Sequence, residues 1–247
     1  MVIICKKKKK KAKNQNNFWF FFIVLKKHGL LIIINIKKFK SNEREENKMN
    51  NSYNIVPTVI ENDGRGEKAY DLYSRLLKDR IIWVRGVDEH SCNSICGQLL
   101  FLLQDDSLAP IKMYINSPGG SIMDGDGVLD TMDFVKSKGV TIETMVIGKA
   151  ASFGALILLN GSEGHRKVLP RSRVMIHQPL GGAQGQASDI EIKANLIIGM
   201  KKEINKFIAD KTGQPLEVVE QKTDRDSWFK GQEAVDFGLA DMIVNTN

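Results

Sequence analysis

A strand, a tight turn and a helix follow one another in residues 140–159, and this segment restricts the possible folds more than any other. The apolar, β-branched run Val140–Ile147 ends at Gly148, small residues follow, and the apolar segment Ala155–Leu159 comes next. This order predicts a strand that turns sharply into a helix, with Ser152 on the turn. There the hydroxyl would meet the unpaired N–H groups and the positive dipole of a helix N-terminus, which stabilise negative charge. Ser152 is therefore either a nucleophile or a simple helix cap.

The residues before this segment alternate between strand and helix patterns. Strands are predicted at Ile81–Val84 and Ile111–Asn116, and helices at Ala69–Lys78, from Ser91, and at Gly127–Lys138. This alternation is typical of an α/β domain with a parallel sheet. The patterns further along the chain predict strands Arg166–Leu169, Arg173–Ile176 and Met242–Val244, and helices Ser188–Lys211, Pro215–Lys222 and Gly231–Phe237.

A pair of glycines follows the predicted strand Ile111–Asn116. Gly119 and Gly120 can adopt positive φ angles and leave a backbone N–H pointing into open space, where it could donate to a developing oxyanion. A plain strand-to-helix turn accounts for the same two residues. Both interpretations stay open at this point.

Two further residues could complete a nucleophilic site. His177 directly follows the predicted strand Arg173–Ile176, where an imidazole can turn into a cleft and act as a general base. Asp226 ends the charged segment Thr223–Asp226, and its carboxylate could orient that imidazole or cap a helix. A hydroxyl is a weak nucleophile until a neutral imidazole accepts its proton, and a carboxylate stabilises the imidazolium that forms.

The predicted helix Ser188–Lys211 is unusually long. Ser188 and Glu191 have the spacing of a capping box, and Gly213 followed by Pro215 ends the helix. A helix of about 35 Å is more than one small core can cover, so its apolar stripe is predicted to contact another subunit. The stripe comprises Ile190, Ala194, Ile197, Ile204 and Ile208.

Charge separates the first 48 residues from the rest. The net charge of the chain is +7, whereas residues 1–48 carry +11, from 14 Lys and Arg against 3 Asp and Glu, which leaves −4 for residues 49–247. A mildly acidic domain does not favour nucleic-acid binding. We predict that residues 1–48 are a low-complexity basic extension that is disordered, cleaved or untranslated, and that Met49 begins the domain 49–247. The apolar runs of the extension are too short to span a membrane.

The cysteines Cys5, Cys92 and Cys96 are odd in number and lack C-x-x-C spacing. They therefore predict neither a disulfide framework nor a metal site. Cys92 and Cys96 are four residues apart, which fits core positions on one face of a helix in a reducing compartment.

Five motifs in this order resemble the proteolytic subunit of the ATP-dependent Clp protease, over about residues 55–244. They are Tyr73–Leu77, the Ser-Pro-Gly-Gly turn at 117–120, Gly-x-Ala-Ala-Ser at 148–152, Met175–Pro179 and Thr223–Asp226. The resemblance implies an α/β, crotonase-like (ClpP/crotonase) fold of repeated ββα units with the long helix protruding as a handle. It also implies a homotetradecamer of two heptameric rings that hydrolyses unfolded proteins to short peptides, with a AAA+ Clp ATPase unfoldase as partner.

The same resemblance implies the roles of the site residues. Ser152 would be the nucleophile, His177 the base that takes its proton, and Asp226 the carboxylate that holds the imidazole. The backbone N–H groups of Gly120 and Phe153 would form the oxyanion hole. No cofactor or metal is expected in this chain, because ATP is used by the partner ATPase.

Contact residues also follow from the resemblance. Ile197 on the long helix and Arg225 beside the triad carboxylate are expected at the contact between the two rings. Both assignments predict that disrupting either contact would abolish activity and assembly together.

The surface that binds the ATPase is expected to include Tyr114, Phe134 and Leu169. At two positions where the family usually has aromatic residues, this chain has Lys112 and Lys167. Lysine stems can still cover apolar surface, and a charged rim would favour an acidic ATPase loop. In the alternative interpretation both lysines point into solvent and do not affect docking.

Two other functions stay open. Crotonase-type acyl-CoA enzymes use paired N–H groups without a Ser/His/Asp set, and a non-catalytic ring subunit would have a structural role. We expect a cytoplasmic location, or an organelle if the N-terminal extension is a targeting segment, with no binding to nucleic acid or membranes.

Overall fold

The computed structural model describes residues 21–27, 30–36, 56–62, 64, 66–106 and 108–244. By its internal contacts the chain divides into two compact units, Met1–Ile55 and Val56–Asn247.

In the first unit, β1 (Phe21–Lys27) and β2 (Leu30–Ile36) form an antiparallel pair. In such a pair, two apolar runs containing β-branched residues satisfy each other's backbone groups. The interpretation of residues 1–48 as a disordered, cleaved or untranslated extension stays a prediction. The rest of that segment and the predicted start at Met49 lie outside the described residues. The boundary between extension and domain therefore stays a prediction.

The second unit alternates strands and helices. Its elements are β3 (Thr58–Asn62), β4 (Glu67–Asp71), α1 (Leu72–Lys78), β5 (Ile81–Val84), α2 (Glu89–Asp105), β6 (Ile111–Ser117), α3 (Ile122–Ser137), β7 (Ile142–Ala151), α4 (Phe153–Leu159), β8 (Arg166–Val168), β9 (Arg173–Ile176), α5 (Ala187–Thr212), α6 (Leu216–Thr223), β10 (Ser227–Lys230), α7 (Gln232–Asp236) and β11 (Met242–Ile243).

The central sheet has seven strands, and β7 pairs with β6, β8 and β9. The main path is β10-β9-β7-β6-β5, and β8 pairs with both β7 and β11. All of these pairs are parallel except β9 with β10. The first half of β7 pairs with β8 and its last residues, Lys149–Ala151, pair with β9. The predicted α/β class with a parallel sheet is therefore confirmed.

The core lies on one face of this sheet. Alternate side chains of β5, β6 and β7 are buried there, including Ile82, Met113 and Val146, together with the inner faces of α2 and α3. Every residue of α4 is buried, which explains its unbroken apolar sequence. Because Ser152 lies between β7 and α4, it is fixed between the middle strand and a fully buried helix.

Two helix starts differ from the predictions because neighbouring residues cap the helices. α1 begins at Leu72, since Asp71 accepts bonds from the N–H groups of Tyr73 and Ser74, each at 3.0 Å. The preceding residues, expected to be helical from Ala69, form β4 and pair with β3. α2 begins before the predicted Ser91, because Asp88 is its N-cap.

The starts of two further helices also differ from the predictions. α3 begins at Ile122 and not at Gly127, with Ser121 as its N-cap. α5 begins at Ala187, and its N-cap Gln186 makes no side-chain bond, so the predicted capping box at Ser188 does not set the boundary. Gly213 ends α5 in the left-handed conformation, as predicted.

The apolar stripe of α5 divides between two environments. Ile208 is 1% exposed and Ile204 packs against the same core, so the C-terminal part of the helix belongs to its own domain. Ile197 is half-buried, whereas Ile190 is exposed. The prediction that the whole stripe contacts another subunit is therefore wrong for its last turns. The exposed apolar residues of α5 are Ile190, Ile192, Leu196 and Ile198.

None of the helices in the described part of the chain combines the length and the apolar character that crossing a membrane requires.

Candidate active site

Ser152 has an unusual backbone conformation. Its φ is 54° and its ψ is −124°, a region that non-glycine residues adopt at an energetic cost and that recurs at functional sites. The surrounding structure holds it there, because its N–H donates to the carbonyl of Met175 at 2.9 Å. The close packing around Ser152 also requires that Gly119 has no side chain, because a Cβ on it would lie 2.7 Å from the Cβ of Ser152. The turn thus exposes the hydroxyl at the end of β7.

The hydroxyl of Ser152 bonds to a histidine and not to the helix. Its Oγ lies 2.8 Å from Nε2 of His177, and Nδ1 of His177 lies 3.2 Å from Oδ1 of Asp226. Although Ser152 occupies the N-cap position of α4, it makes no side-chain cap bond. The interpretation of Ser152 as a simple helix cap is therefore wrong. An imidazole so placed can accept the hydroxyl proton while the carboxylate stabilises the resulting charge.

Strand pairing brings His177 and Asp226 together. His177 follows the last residue of β9, and Asp226 precedes the first residue of β10, where Ser227 is paired with Ile176. The strand β10 is not predicted by the sequence, because the alternation of Ser227, Trp228 and Phe229 is too short to indicate a strand. The His177 side chain is 14% exposed and that of Asp226 is 62% exposed.

The glycine pair forms a second wall of the site. Gly119 and Gly120 have φ angles of 89° and 155°, and a Cβ on Gly120 would lie 1.9 Å from the carbonyl oxygen of Val87. The bridge to Val87 uses the carbonyl of Gly119 and the N–H of Ser121. It does not use the N–H of Gly120. This backbone bridge accounts for the close approach at Gly120, so the oxyanion-hole and plain-turn interpretations of the glycine pair both stay open.

A cavity of about 460 Å³ joins these groups. Ser152, His177, Gly120 and Phe153 all line it, so both predicted oxyanion donors border the same space as the nucleophile and base. The N–H of Phe153 is at the first position of α4, where no intrahelical acceptor exists. The remaining wall is mostly apolar and includes Ile122, Leu156, Met200 and Ile204. Such a space suits an extended peptide with an apolar side chain beside the reacting carbonyl.

A smaller cavity of about 230 Å³ lies behind those four apolar residues and shares them with the first. Asp126 and Glu203 line it on the other side. Burial, followed by the negative charges of Asp130 and Glu203, raises the pKa of Asp126 above its ordinary value.

The predicted ring-contact residues are not part of the triad. The Arg225 side chain is 91% exposed, and its Nε lies 3.9 Å from Asp224, so it has no close partner in the described part of its own chain. Ile197 packs beside Gly181, where an added Cβ would lie 2.7 Å from its Cδ1. Their predicted contacts with another subunit remain predictions.

Three of the predicted docking residues share one face of the sheet. Lys112 and Tyr114 on β6 and Lys167 on β8 are half-buried on the face opposite the core. The ammonium of Lys167 bonds to Glu143 at 2.8 Å, a partner that the sequence pattern does not predict. Phe134 lies apart from these strands on α3, where it is 48% exposed.

Across the described residues, no group of His, Cys, Asp and Glu side chains could hold a metal ion.

A parallel α/β domain that brings a serine and a histidine to one cavity, with a carboxylate bonded to the far side of the imidazole, has the architecture of a hydrolase. A model of the Clp protease family matches residues 64–247, and the chain belongs to this family of peptidases. The crotonase-like fold expected from the sequence motifs is therefore confirmed. Members of the family associate with Clp ATPases and assemble into oligomers.

Proposed function

We propose that this chain is a catalytic proteolytic subunit of an ATP-dependent Clp protease, a serine endopeptidase that cuts unfolded proteins into short peptides. The observation that carries the proposal is the 2.8 Å contact between Ser152 Oγ and His177 Nε2, made from a strained turn inside the cavity. A serine with only a structural role has no need of this conformation.

The chemistry follows from the positions of the three side chains. His177 accepts the proton of Ser152 as the hydroxyl oxygen attacks the scissile carbonyl, and Asp226 stabilises the imidazolium. The N–H groups of Gly120 and Phe153 donate to the oxyanion of the tetrahedral intermediate. His177 then gives its proton to the leaving amine, and a water molecule hydrolyses the acyl-enzyme by the reverse sequence.

The remaining features of the proposal concern the assembly. We infer a homotetradecamer of two heptameric rings, fed by a AAA+ Clp ATPase that uses the ATP, so that the subunit itself needs neither nucleotide nor metal. The exposed apolar residues on α5 support a subunit contact. The compartment is the cytoplasm, or an organelle if the first 48 residues direct the chain there.

A single experiment tests the catalytic role against a non-catalytic ring subunit and a crotonase-type acyl-CoA enzyme. The purified protein is treated with a fluorophosphonate probe and assayed with a fluorogenic peptide. We expect labelling and turnover in the wild type, and a fall in turnover of about 10³–10⁶-fold for Ser152→Ala and similarly for His177→Ala. Ser137→Ala, an exposed serine at the end of α3, is the matched control. If Ser152→Ala retained more than a tenth of the activity, Ser152 would not be the nucleophile.

A further inference from the structure

Gln178, the residue after His177, connects three parts of the fold beside the triad. Its backbone N–H donates to the carbonyl of Thr223, and its Nε2 donates to the carbonyl of Asp224 at 2.8 Å. Its Oε1 accepts a bond from Nζ of Lys201 at 3.0 Å. One residue therefore ties together the end of β9, the loop before β10 and the helix α5.

The loop that Gln178 holds carries Asp226, whose side chain has little support of its own. The carboxylate is 62% exposed, and its hydrogen-bond partner in the described part of the chain is His177. A carboxylate can orient an imidazole only if its own backbone is held in place. The bond from Gln178 to Asp224 supplies that restraint immediately before Asp226.

The helix α5 reaches the same loop at a second point. Asn205 lies one helical turn after Lys201 on the same face of α5, and its Oδ1 accepts a bond from Oγ1 of Thr223 at 2.8 Å. Asn205 is 1% exposed and Thr223 is fully buried. Two side chains on one face of α5 thus restrain the loop, Asn205 through Thr223, the residue just before the loop, and Lys201 through Gln178.

We propose that Gln178 is a positioning residue for peptide hydrolysis, which sets the alignment of Asp226 with His177, and that Lys201 anchors Gln178 to α5. The proposal rests on the proposed function, because it concerns the same triad. Gln178 acts through Asp226 and not on the substrate carbonyl. Since Gln178 also borders the active-site cavity, the test must separate positioning from substrate binding.

Steady-state kinetics with a fluorogenic peptide provide that separation. Gln178→Met, which keeps the length and removes the side-chain bonds, is expected to lower kcat by about 10–100-fold, the usual cost of a small misplacement of catalytic groups. KM is expected to stay within about twofold of the wild-type value, because no contact with the substrate is lost. Gln178→Glu keeps an acceptor for Lys201 but loses the donor to Asp224, and it is expected to lower kcat as well. A rise in KM with unchanged kcat would assign Gln178 to substrate binding and overturn the proposal.

The role of Lys201 is tested by replacement and rescue. Lys201→Met is expected to lower kcat, and Lys201→Arg, which retains a donor, is expected to restore most of it. Lys206→Met is the matched control, because Lys206 is exposed on the same helix and pairs with Asp210. Equal kcat values for Lys201→Met and Lys206→Met would contradict the anchoring role.

A third measurement asks whether Gln178 acts through Asp226. The rate of Ser152 labelling by the fluorophosphonate is compared in four proteins: wild type, Gln178→Met, Asp226→Ala and the double variant. If Gln178 works by aligning Asp226, then Gln178→Met lowers the rate in the wild-type background and has little further effect once Asp226 is absent. If the two substitutions lowered the labelling rate additively, the proposal would be overturned. It would also be overturned if thermal melts showed that both Gln178 variants are unfolded and that unfolding accounts for the lower rate. If the proposed function itself were wrong, Ser152→Ala would retain peptide turnover, and that result is independent of the Gln178 variants.

Discussion

Ile176 and Ser227 are register partners in the antiparallel pair of β9 and β10. This pairing places His177, which follows Ile176, beside Asp226, which precedes Ser227. His177 and Asp226 are 49 positions apart in the sequence. The contact between imidazole and carboxylate is therefore a consequence of backbone pairing at the edge of the sheet.

Replacing the carboxylate by its amide should expose this dependence. Asp226→Asn is expected to lower kcat about 10³–10⁴-fold, because an amide cannot hold the imidazole in the tautomer that accepts the serine proton. Peptide turnover is the measurement, and Asp236→Asn, an exposed carboxylate on α7, is the control. A loss of less than tenfold would show that Asp226 is dispensable.

The buried pair of Arg166 and Asp241 predicts a pH-dependent stability. Burial alone would raise the pKa of Asp241, but bonds from the guanidinium and the N–H of Arg166 hold it below its ordinary value. A depressed carboxyl pKa contributes stability above the unfolded value of about 4, and this contribution is lost as the pH falls through the folded value. Asp241→Asn should therefore lower the free energy of unfolding by about 3 kcal/mol at pH 7, and by less below pH about 4.

Urea unfolding at several pH values measures this difference. Asp79→Asn is the control, because Asp79 forms an exposed ion pair with Arg75, and exposed pairs contribute about 1 kcal/mol or less. A cost for Asp241→Asn that was equal at pH 7 and pH 3 would contradict the predicted linkage.

The thiol of Cys92 should be unreactive in the folded protein. Burial raises the pKa of Cys92 to about 11, so only about one molecule in a thousand carries the thiolate at pH 8. In a Cys5→Ser/Cys96→Ser background, alkylation by iodoacetamide is expected to be at least about 100-fold slower in the native state than in urea. It should accelerate about tenfold for each pH unit up to pH 10. Equal rates in the two states would show that Cys92 is accessible and ionised.

The exposed apolar residues of α5 are expected to form the contact between rings. Leu196 is 48% exposed, and Leu196→Glu would bury an unpaired carboxylate in that contact, so light scattering should report a smaller, inactive particle. Ile197→Glu is a less selective test, because Ile197 also packs beside Gly181 in its own chain. Lys206→Glu is the control and should keep the full mass. A full-sized, active Leu196→Glu particle would exclude this surface.

The charged residues on the sheet face are expected to alter recognition of the ATPase. Because Lys167 bonds to Glu143, replacing the lysines alone would remove the closest cation from that carboxylate and leave it with His165, whose Nδ1 is 3.9 Å away. The informative variant is Lys112→Tyr/Glu143→Thr/Lys167→Phe, which should degrade a folded, tagged substrate with a non-cognate Clp ATPase faster than the wild type. Both proteins should cleave small peptides equally. If the variant degraded the tagged substrate no faster than the wild type, Lys112 and Lys167 would be ordinary surface charges without a role in docking.

Several elements of the fold could be predicted from the sequence because their signals are local. The strands β5 and β9 have the predicted bounds, and α4 was recognised by its unbroken apolar run. Ser152 was placed on the turn between β7 and α4 because small residues and glycine interrupt an apolar pattern. Gly213 ended α5 as expected, since a left-handed residue at a helix end favours glycine.

Other features could not be predicted because they depend on partners distant in the chain. The strand β10 is short and becomes a strand only through its pairing with β9. The division of the α5 stripe between core and surface depends on how far the domain extends along the helix. The bond between Lys167 and Glu143 depends on the register of β7 against β8.

The kinds of residue that could carry the chemistry, the positions of the turns and the alternation typical of a parallel sheet follow from local sequence patterns. The turn of the Ser152 hydroxyl away from its helix and toward His177 follows only from the packed fold, and so do the bonds by which Gln178 and α5 hold the loop of Asp226. Local patterns set the propensity of each backbone segment. Contacts between side chains far apart in the chain are fixed only when sheet register and helix packing bring their elements together.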